Sequence, residues 1–397
     1  MQGEAPGVGC TAPATAWLEA DGLWPVVSSV AITLTGCAST FAEPAHLAAS
    51  NNPERIDHNG VLLDTVIGAA DTTFYFHHQN GLNSPCRTLE VRLENRSRGP
   101  VDLLVMESGA GPSRDELYAG HSATWRGLRW MVRGNGLAVH LEPGDECLLD
   151  QRTLSPGTVA CGIGQVMVMN GKPPHLVVEA TSPEIVVNGP VLPSPALSPT
   201  ADDHPAVAVP AEGVPGQLST QTPESQDAGA NGVSTPLPSP TLDAPARPGQ
   251  ESVRGRGLFG PPLRDLQATY VVGGPYAFVS IGGPPFLQPL GDGTPNVGNY
   301  GVMYRVHLLL SNPTAQATHV YVVFSVGGGV ARGSLVVDGA LVETPVLSTR
   351  VGMHREFQLG DDVLSPGQQR AVQIDVMPEP GSNYPVNIIA KDLPANR

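Results

Sequence analysis

Hydrophobic and polar residues alternate along several short stretches of this chain. Thr88-Leu-Glu-Val-Arg-Leu-Glu94 puts Leu89, Val91 and Leu93 on one face and Glu90, Arg92 and Glu94 on the other. That period of two marks a strand with one buried face. An apolar run at 101–106 follows the turn-rich Asn95-Arg-Ser-Arg-Gly-Pro100, and the two segments are expected to form a hairpin. Nearer the C-terminus, Val302, Tyr304, Val306, Leu308 and Leu310 share a face, Asn312-Pro313 turns the chain, and residues 320–324 return. Val372, Ile374 and Val376 alternate again. Further strands are expected at 61–67, 73–77, 137–141, 166–169 and 176–180. One helix is expected: Ser113-Arg-Asp-Glu116 has capping-box spacing, and Leu117, His121, Trp125 and Leu128 recur on one face. Gly120 and Gly127 weaken that helix.

Short strands punctuated by Gly, Pro and Asn predict an all-β protein of two immunoglobulin-like β-sandwich domains. The expected domains cover 51–183, with the short helix, and 258–393. They share a layout: a strand ending in Asn (Asn95; Asn312), a polar connection, an apolar strand and later a Pro-Gly turn (Pro143-Gly144; Pro366-Gly367). A distant internal duplication would explain this. Between them, residues 184–257 are dominated by Pro, Ala and Ser, and no aromatic residue occurs between Trp130 and Phe259. Such a segment buries too little apolar surface to offset its chain entropy and is expected to be a disordered linker.

Composition narrows the function. The chain has 46 glycines and 40 prolines but only 15% charged residues, with a net charge of −15. An acidic surface repels phosphate backbones, so no nucleic-acid partner is expected. The five cysteines (Cys10, Cys37, Cys86, Cys147, Cys161) show no C-x-x-C spacing. Cys147 and Cys161, 14 residues apart, could form a disulfide in an oxidising compartment; Cys86 with either, or buried thiols, are the alternatives.

Residues 23–34 form an apolar run too short to span a bilayer and about the length of a signal-peptide core. It ends in Leu34-Thr35-Gly36-Cys37. This segment resembles the signal and lipobox of bacterial lipoproteins, covering residues 1–37, with 38–50 as a tether. The resemblance implies a lipid on Cys37 and a membrane-anchored protein in the periplasm or at the cell surface. Glu4, Glu19 and Asp21 precede the run and the first basic residue is Arg55, so a start codon elsewhere, or a buried strand or helix with Cys37 an ordinary thiol, is the other reading. Phe74-Tyr-Phe-His-His-Gln-Asn80, Gly298–Arg305 and Arg332–Gly339 resemble stretches of bacterial envelope proteins. That implies the same setting and brings no active site.

Candidate chemistry is sparse. His77-His78 is conspicuous, but adjacent strand residues point to opposite faces, so a Zn site would need His58, Asp57, His121 or His140 brought close by folding. Asp292-Gly-Thr-Pro-Asn296-Val-Gly-Asn299 offers oxygen ligands for Ca but lacks the Gly and Glu that complete an EF-type loop. A structural turn is the alternative reading. No cofactor is otherwise expected. Tyr118, Trp125 and Trp130 could stack on sugar rings or simply pack in the core. No catalytic motif is recognisable, so no catalytic residue is assigned. The expectation is a non-catalytic envelope-associated structural or binding protein, with the second domain displayed on a long tether toward an envelope protein or polysaccharide, or assembling as a homo-oligomer. The alternative is a secreted carbohydrate-active or metal-dependent enzyme with an accessory binding domain.

Overall fold

The computed structural model describes residues 32–33, 44–52, 54–133, 136–183 and 255–393. In chain order the first half carries β1 (Ile32–Thr33), β2 (His46–Ser50), β3 (Arg55–Ile56), β4 (Gly60–Val66), β5 (Thr72–Asn80), β6 (Arg87–Glu94), β7 (Val101–Ser113), α1 (Glu116–Arg133), β8 (Leu137–Leu141), β9 (Glu146–Leu154), β10 (Val159–Asn170) and β11 (His175–Thr181). The second half carries β12 (Arg256–Phe259), β13 (Leu263–Val271), β14 (Ala277–Ile281), β15 (Met303–Ser311), β16 (Thr318–Val326), β17 (Val330–Ala331), β18 (Ser334–Val337), β19 (Ala340–Glu343), β20 (Leu347–Ser348), β21 (Glu356–Leu364), β22 (Gln369–Val376) and β23 (Val386–Lys391). The protein is therefore all-β with one helix among the described residues. The lipobox with Cys37, Cys10 and residues 184–254 of the Pro-rich segment lie outside the described residues.

Four sheets build two sandwich-like layers in each half. Sheet A has the order β1-β8-β7-β10-β5-β2-β12, with β3 beside β5, and sheet B the order β4-β11-β6-β9. Sheet C runs β13-β15-β22-β18-β19 and sheet D β14-β23-β16-β21. Alternation fixes what each face buries. Ala48, Phe74, Phe76 and Val105 of sheet A meet Leu63, Leu89, Val91 and Val178 of sheet B in one core. Tyr304, Val306 and Leu308 of sheet C meet Val322, Phe324 and Ile388 of sheet D in another. That second core also takes in Leu47, Ala49, Tyr75 and Ile163, which lie on the opposite face of sheet A. Sheet A is thus covered on both faces. The described residues up to 182 and those from 255 to 393 form one compact unit. β12 ties them through the same sheet by backbone hydrogen bonds, Arg256–Phe259 pairing antiparallel with residues 47–50 of β2.

Three buried asparagines brace the fold in one repeated way. Asn95 donates its side-chain amide to the carbonyls of Gly99 and Leu141. Its peptide N–H and C=O engage Asp145 and Gly144 of the Glu142-Pro-Gly-Asp145 turn. Asn312 does the same with Gln316, Leu364 and the Ser365-Pro-Gly-Gln368 turn. Asn80 repeats the scheme with Pro85, Leu154 and Ser155-Pro-Gly-Thr158, a third copy that the layout read from the sequence did not include. In each turn Pro presets φ and the following Gly (Gly144, Gly157, Gly367) takes a positive φ of 74–89°, as a type II turn requires.

These braces correct the expected hairpin of β6 with β7. β6 and β7 lie in different sheets, as do β15 and β16. Asn95 and Asn312 each end a strand whose hydrogen-bonded neighbour comes from the strand after the Pro-Gly turn, so the intervening segment crosses to the facing sheet. The helix also differs in detail. Its cap is Asp115, whose Oδ1 accepts from Tyr118 N at 3.0 Å, while Ser113 Oγ accepts from Asp115 N. Ala119, Gly120, Ala123, Gly127 and Leu128 are its buried residues alongside His121 and Thr124, with Leu117 and Trp125 only half-buried. The glycines that weaken helix propensity here let α1 approach its neighbours closely. A Cβ on Gly120 would run into the Pro380 carbonyl.

Candidate functional site

α1 lies in the seam between the halves. It packs on β7 and β10 of sheet A and touches β18 and β19 of sheet C. Ala110, Val159 and Cys161 of the sheet meet Ala119 and Ala123 of the helix. Strand alternation decides which polar groups enter this seam. His77 and Cys161 are directly opposed across β5 and β10, so both side chains point from sheet A toward the helix. His78 points the other way and bonds Ser50 Oγ at 2.9 Å.

Two charged clusters converge there. The first surrounds His77, whose side chain is 2% exposed. Its Nε2 lies 3.4 Å from Glu116 Oε1 in the first turn of α1. Its Nδ1 lies 3.8 Å from Glu54 Oε1 and 3.3 Å from Asn51 Oδ1. One ligand atom from each of Glu54, His77 and Glu116 falls within 4.8 Å of the others. Imidazole with two carboxylates is a donor set for a divalent ion of the Zn type.

The second cluster joins the halves. His121 Nε2–H donates to Glu343 Oε1 at 2.7 Å and Nδ1–H to Glu379 Oε2 at 2.9 Å. Ser334 Oγ lies 3.4 Å from Nδ1, and Arg332 pairs with Glu343. Glu379 is fully buried. Burial by itself pushes the His121 pKa down. The hydrogen bonds to Glu343 and Glu379 outweigh it and raise the value from 6.5 to about 9. His121 is therefore an imidazolium at neutral pH, locking helix to second half.

The sequence-derived site residues separate into several environments. His58 is exposed in the turn after β3, whereas His77 and His121 are buried among different carboxylates, so the three imidazoles do not form one site. His140 is an exposed neighbour of Asp102 and Glu142. In the 292–299 loop Asp292 is exposed, and the two asparagines hold backbone. Asn296 donates to the Tyr300 carbonyl at 2.8 Å. Asn299, at φ 52°, donates to the Gly283 carbonyl at 2.9 Å and accepts from Leu287 N at 3.0 Å. These are the bonds of a structural turn, the alternative reading of this loop.

Cys147 and Cys161 are not joined. Cys161 is fully buried under α1 and its thiol donates to the Ala119 carbonyl at 3.1 Å, while Cys147 is half-buried on β9 in sheet B. The two residues stand on facing sheets, and Cys161 points away from sheet B, so no staple can form. Burial pushes the Cys161 thiol far up, which makes it inert as a nucleophile. The aromatic trio is likewise split. Tyr118 and Trp125 are seven residues apart on one flank of α1. Trp130, turned by roughly 120° from Tyr118, lines a small hollow with Met106, Met131 and Ile163. Glu54, Glu116, Glu343 and Glu379 were missed, because nothing local in the sequence marks a carboxylate that meets its histidine from another element. No protein-family model matches this chain, and no curated protein matches it.

Proposed function

We propose that this chain is a non-catalytic structural or binding protein of a bacterial cell envelope, exported and held at the membrane through a lipid on Cys37. The repeated asparagine and Pro-Gly brace in both halves supports reading them as duplicated immunoglobulin-like units. The observation that carries the proposal is the use made of buried ionisable groups. His121 and Glu379 tie α1 to the second half, and Cys161 is held protonated beneath the helix, so these groups serve cohesion. Because β12 pairs with β2, the chain on either side of the Pro-rich segment belongs to one body. The reading therefore changes in one respect: the ligand-binding unit is the docked pair of halves rather than a second domain held out on a tether. Its partner would be an envelope protein or polysaccharide.

The test is metabolic labelling with palmitate, with membrane fractionation, of the wild type and Cys37→Ser in a bacterial host. Label and membrane association in the wild type, both lost in the variant, support the proposal. An unlabelled, cytoplasmic wild type sinks it. The Glu54–His77–Glu116 cluster favours one second reading, a metal-dependent enzyme of the exported type. That reading requires a turnover that disappears in Glu116→Gln.

A further inference from the structure

We propose that Glu54, His77 and Glu116 bind a single Zn2+ ion that fastens the start of α1 to sheet A. The inference concerns cohesion of the folded body and stands whether or not the envelope assignment holds. Three independent elements deliver the ligands: the segment before β3 brings Glu54, the helix-facing side of β5 brings His77, and the first turn of α1 brings Glu116. Convergence of one imidazole and two carboxylates within 4.8 Å from positions 54, 77 and 116 is a product of the tertiary fold, not of a local acidic run.

One tautomer suits a metal. Asn51 Oδ1 stands 3.3 Å from Nδ1, and in the tautomer that donates Nδ1–H to it, Nε2, 3.4 Å from Glu116 Oε1, keeps the lone pair that a metal takes. A ligating histidine characteristically has its other ring nitrogen anchored this way. Charge leads to the same conclusion. Two carboxylates face one imidazole: a neutral ring offsets neither charge, a protonated ring offsets one, and a divalent cation offsets both. A mixed nitrogen and oxygen set selects Zn2+ over Ca2+ or Mg2+, which take oxygen ligands. The burial gradient sets access. His77 is 2% exposed and Glu54 21%, while Glu116 is 42% exposed. The ion would enter from the Glu116 side, and three protein ligands leave one position to water.

The experiment uses the full chain without an affinity tag, stripped with a chelator and then titrated with Zn2+ alone by calorimetry. Saturable uptake of one ion per chain, with a rise in Tm on loading, is the expected result. Glu54→Gln and Glu116→Gln, both at solvent-accessible positions, should each weaken binding at least about tenfold. His140→Ala, at the exposed cluster with Asp102 and Glu142, should leave it unchanged. Should either Gln variant fail to fold, Co2+ loading of the wild type decides instead. The visible absorption of a four-coordinate nitrogen and oxygen site supports the proposal, and the spectrum of aqueous Co2+ overturns it. No saturable uptake by the folded wild type, or uptake that both Gln variants keep, also overturns it.

Discussion

His121 makes cohesion of the two halves depend on pH in a direction that can be worked out. Its folded value of about 9 stands above its ordinary 6.5, so the folded state holds a proton that the unfolded chain releases. The stabilisation is fully present below about pH 6.5 and is lost as pH rises through about 9. At ~1.4 kcal/mol per tenfold change in proton affinity, the gap is worth about 3 kcal/mol. Burial leaves little solvent screening to reduce it, because His121 is 4% exposed and Glu379 fully buried. Neighbouring Tyr384 stays neutral across this window, since burial and the Glu379 carboxylate raise it well above its ordinary value.

Equilibrium urea unfolding at pH 6 and pH 9.5 measures the effect. Trp125 and Trp130 on α1 report the seam by fluorescence. The wild type should lose about 3 kcal/mol between the two pH values from this group alone, and His121→Gln should lose less by that amount. At pH 6 the variant should already be weaker, because Glu379 keeps a buried charge without its cation; breaking a buried pair costs about 3–5 kcal/mol. Equal pH dependence in variant and wild type would refute the assignment of His121 as a buried imidazolium.

Three further outcomes follow from the packing. Gly120→Ala should destabilise by about 1–3 kcal/mol or more, because its Cβ meets the Pro380 carbonyl; thermal unfolding reads the loss, and an unchanged Tm would mean that the helix does not touch that loop. Asn80→Ala removes two donors, at 2.8 and 2.9 Å, from the Pro85 and Leu154 carbonyls and should cost about 1–3 kcal/mol for each carbonyl left buried and unmet; Asn312→Ala should cost a similar amount if the braces are equivalent. Thiol alkylation with mass readout should modify exposed Cys86 in the native protein and spare Cys161 until urea is added.

Much of the strand content was legible because one-sided burial writes itself as alternation. Leu89, Val91 and Leu93 are all buried as their pattern demands, and so are Val306, Leu308 and Leu310. The pairing of those strands was not legible. A strand ending in Asn before a polar turn reads as half of a hairpin, and only the long-range bonds from Asn95 to Leu141 and from Asn312 to Leu364 reveal that the chain crosses between sheets. The helix was visible from its cap region but its buried side was read only in part: His121 and Leu128 are buried as expected, while the small residues beside them were overlooked. Small residues pack where two surfaces press close, and apolar periodicity gives Ala and Gly little weight beside Leu and Trp.

The seam itself was hidden for a more general reason. Leu47, Tyr75 and Ile163 belong to strands that read as ordinary parts of one sandwich, yet they face the core of the other half. A strand in a sheet covered on both faces has no polar side, and residues 72–78 of β5 are all buried. Phe74-Tyr-Phe-His-His is accordingly a continuous apolar and aromatic run instead of an alternating one, which is the sign of a doubly covered strand. Its two histidines follow from that position. His78 meets Ser50 within its own sheet, and His77 reaches into the seam toward carboxylates on two other elements. A strand buried on both faces must find partners for each polar group it carries, and His77 finds them where α1 closes over sheet A.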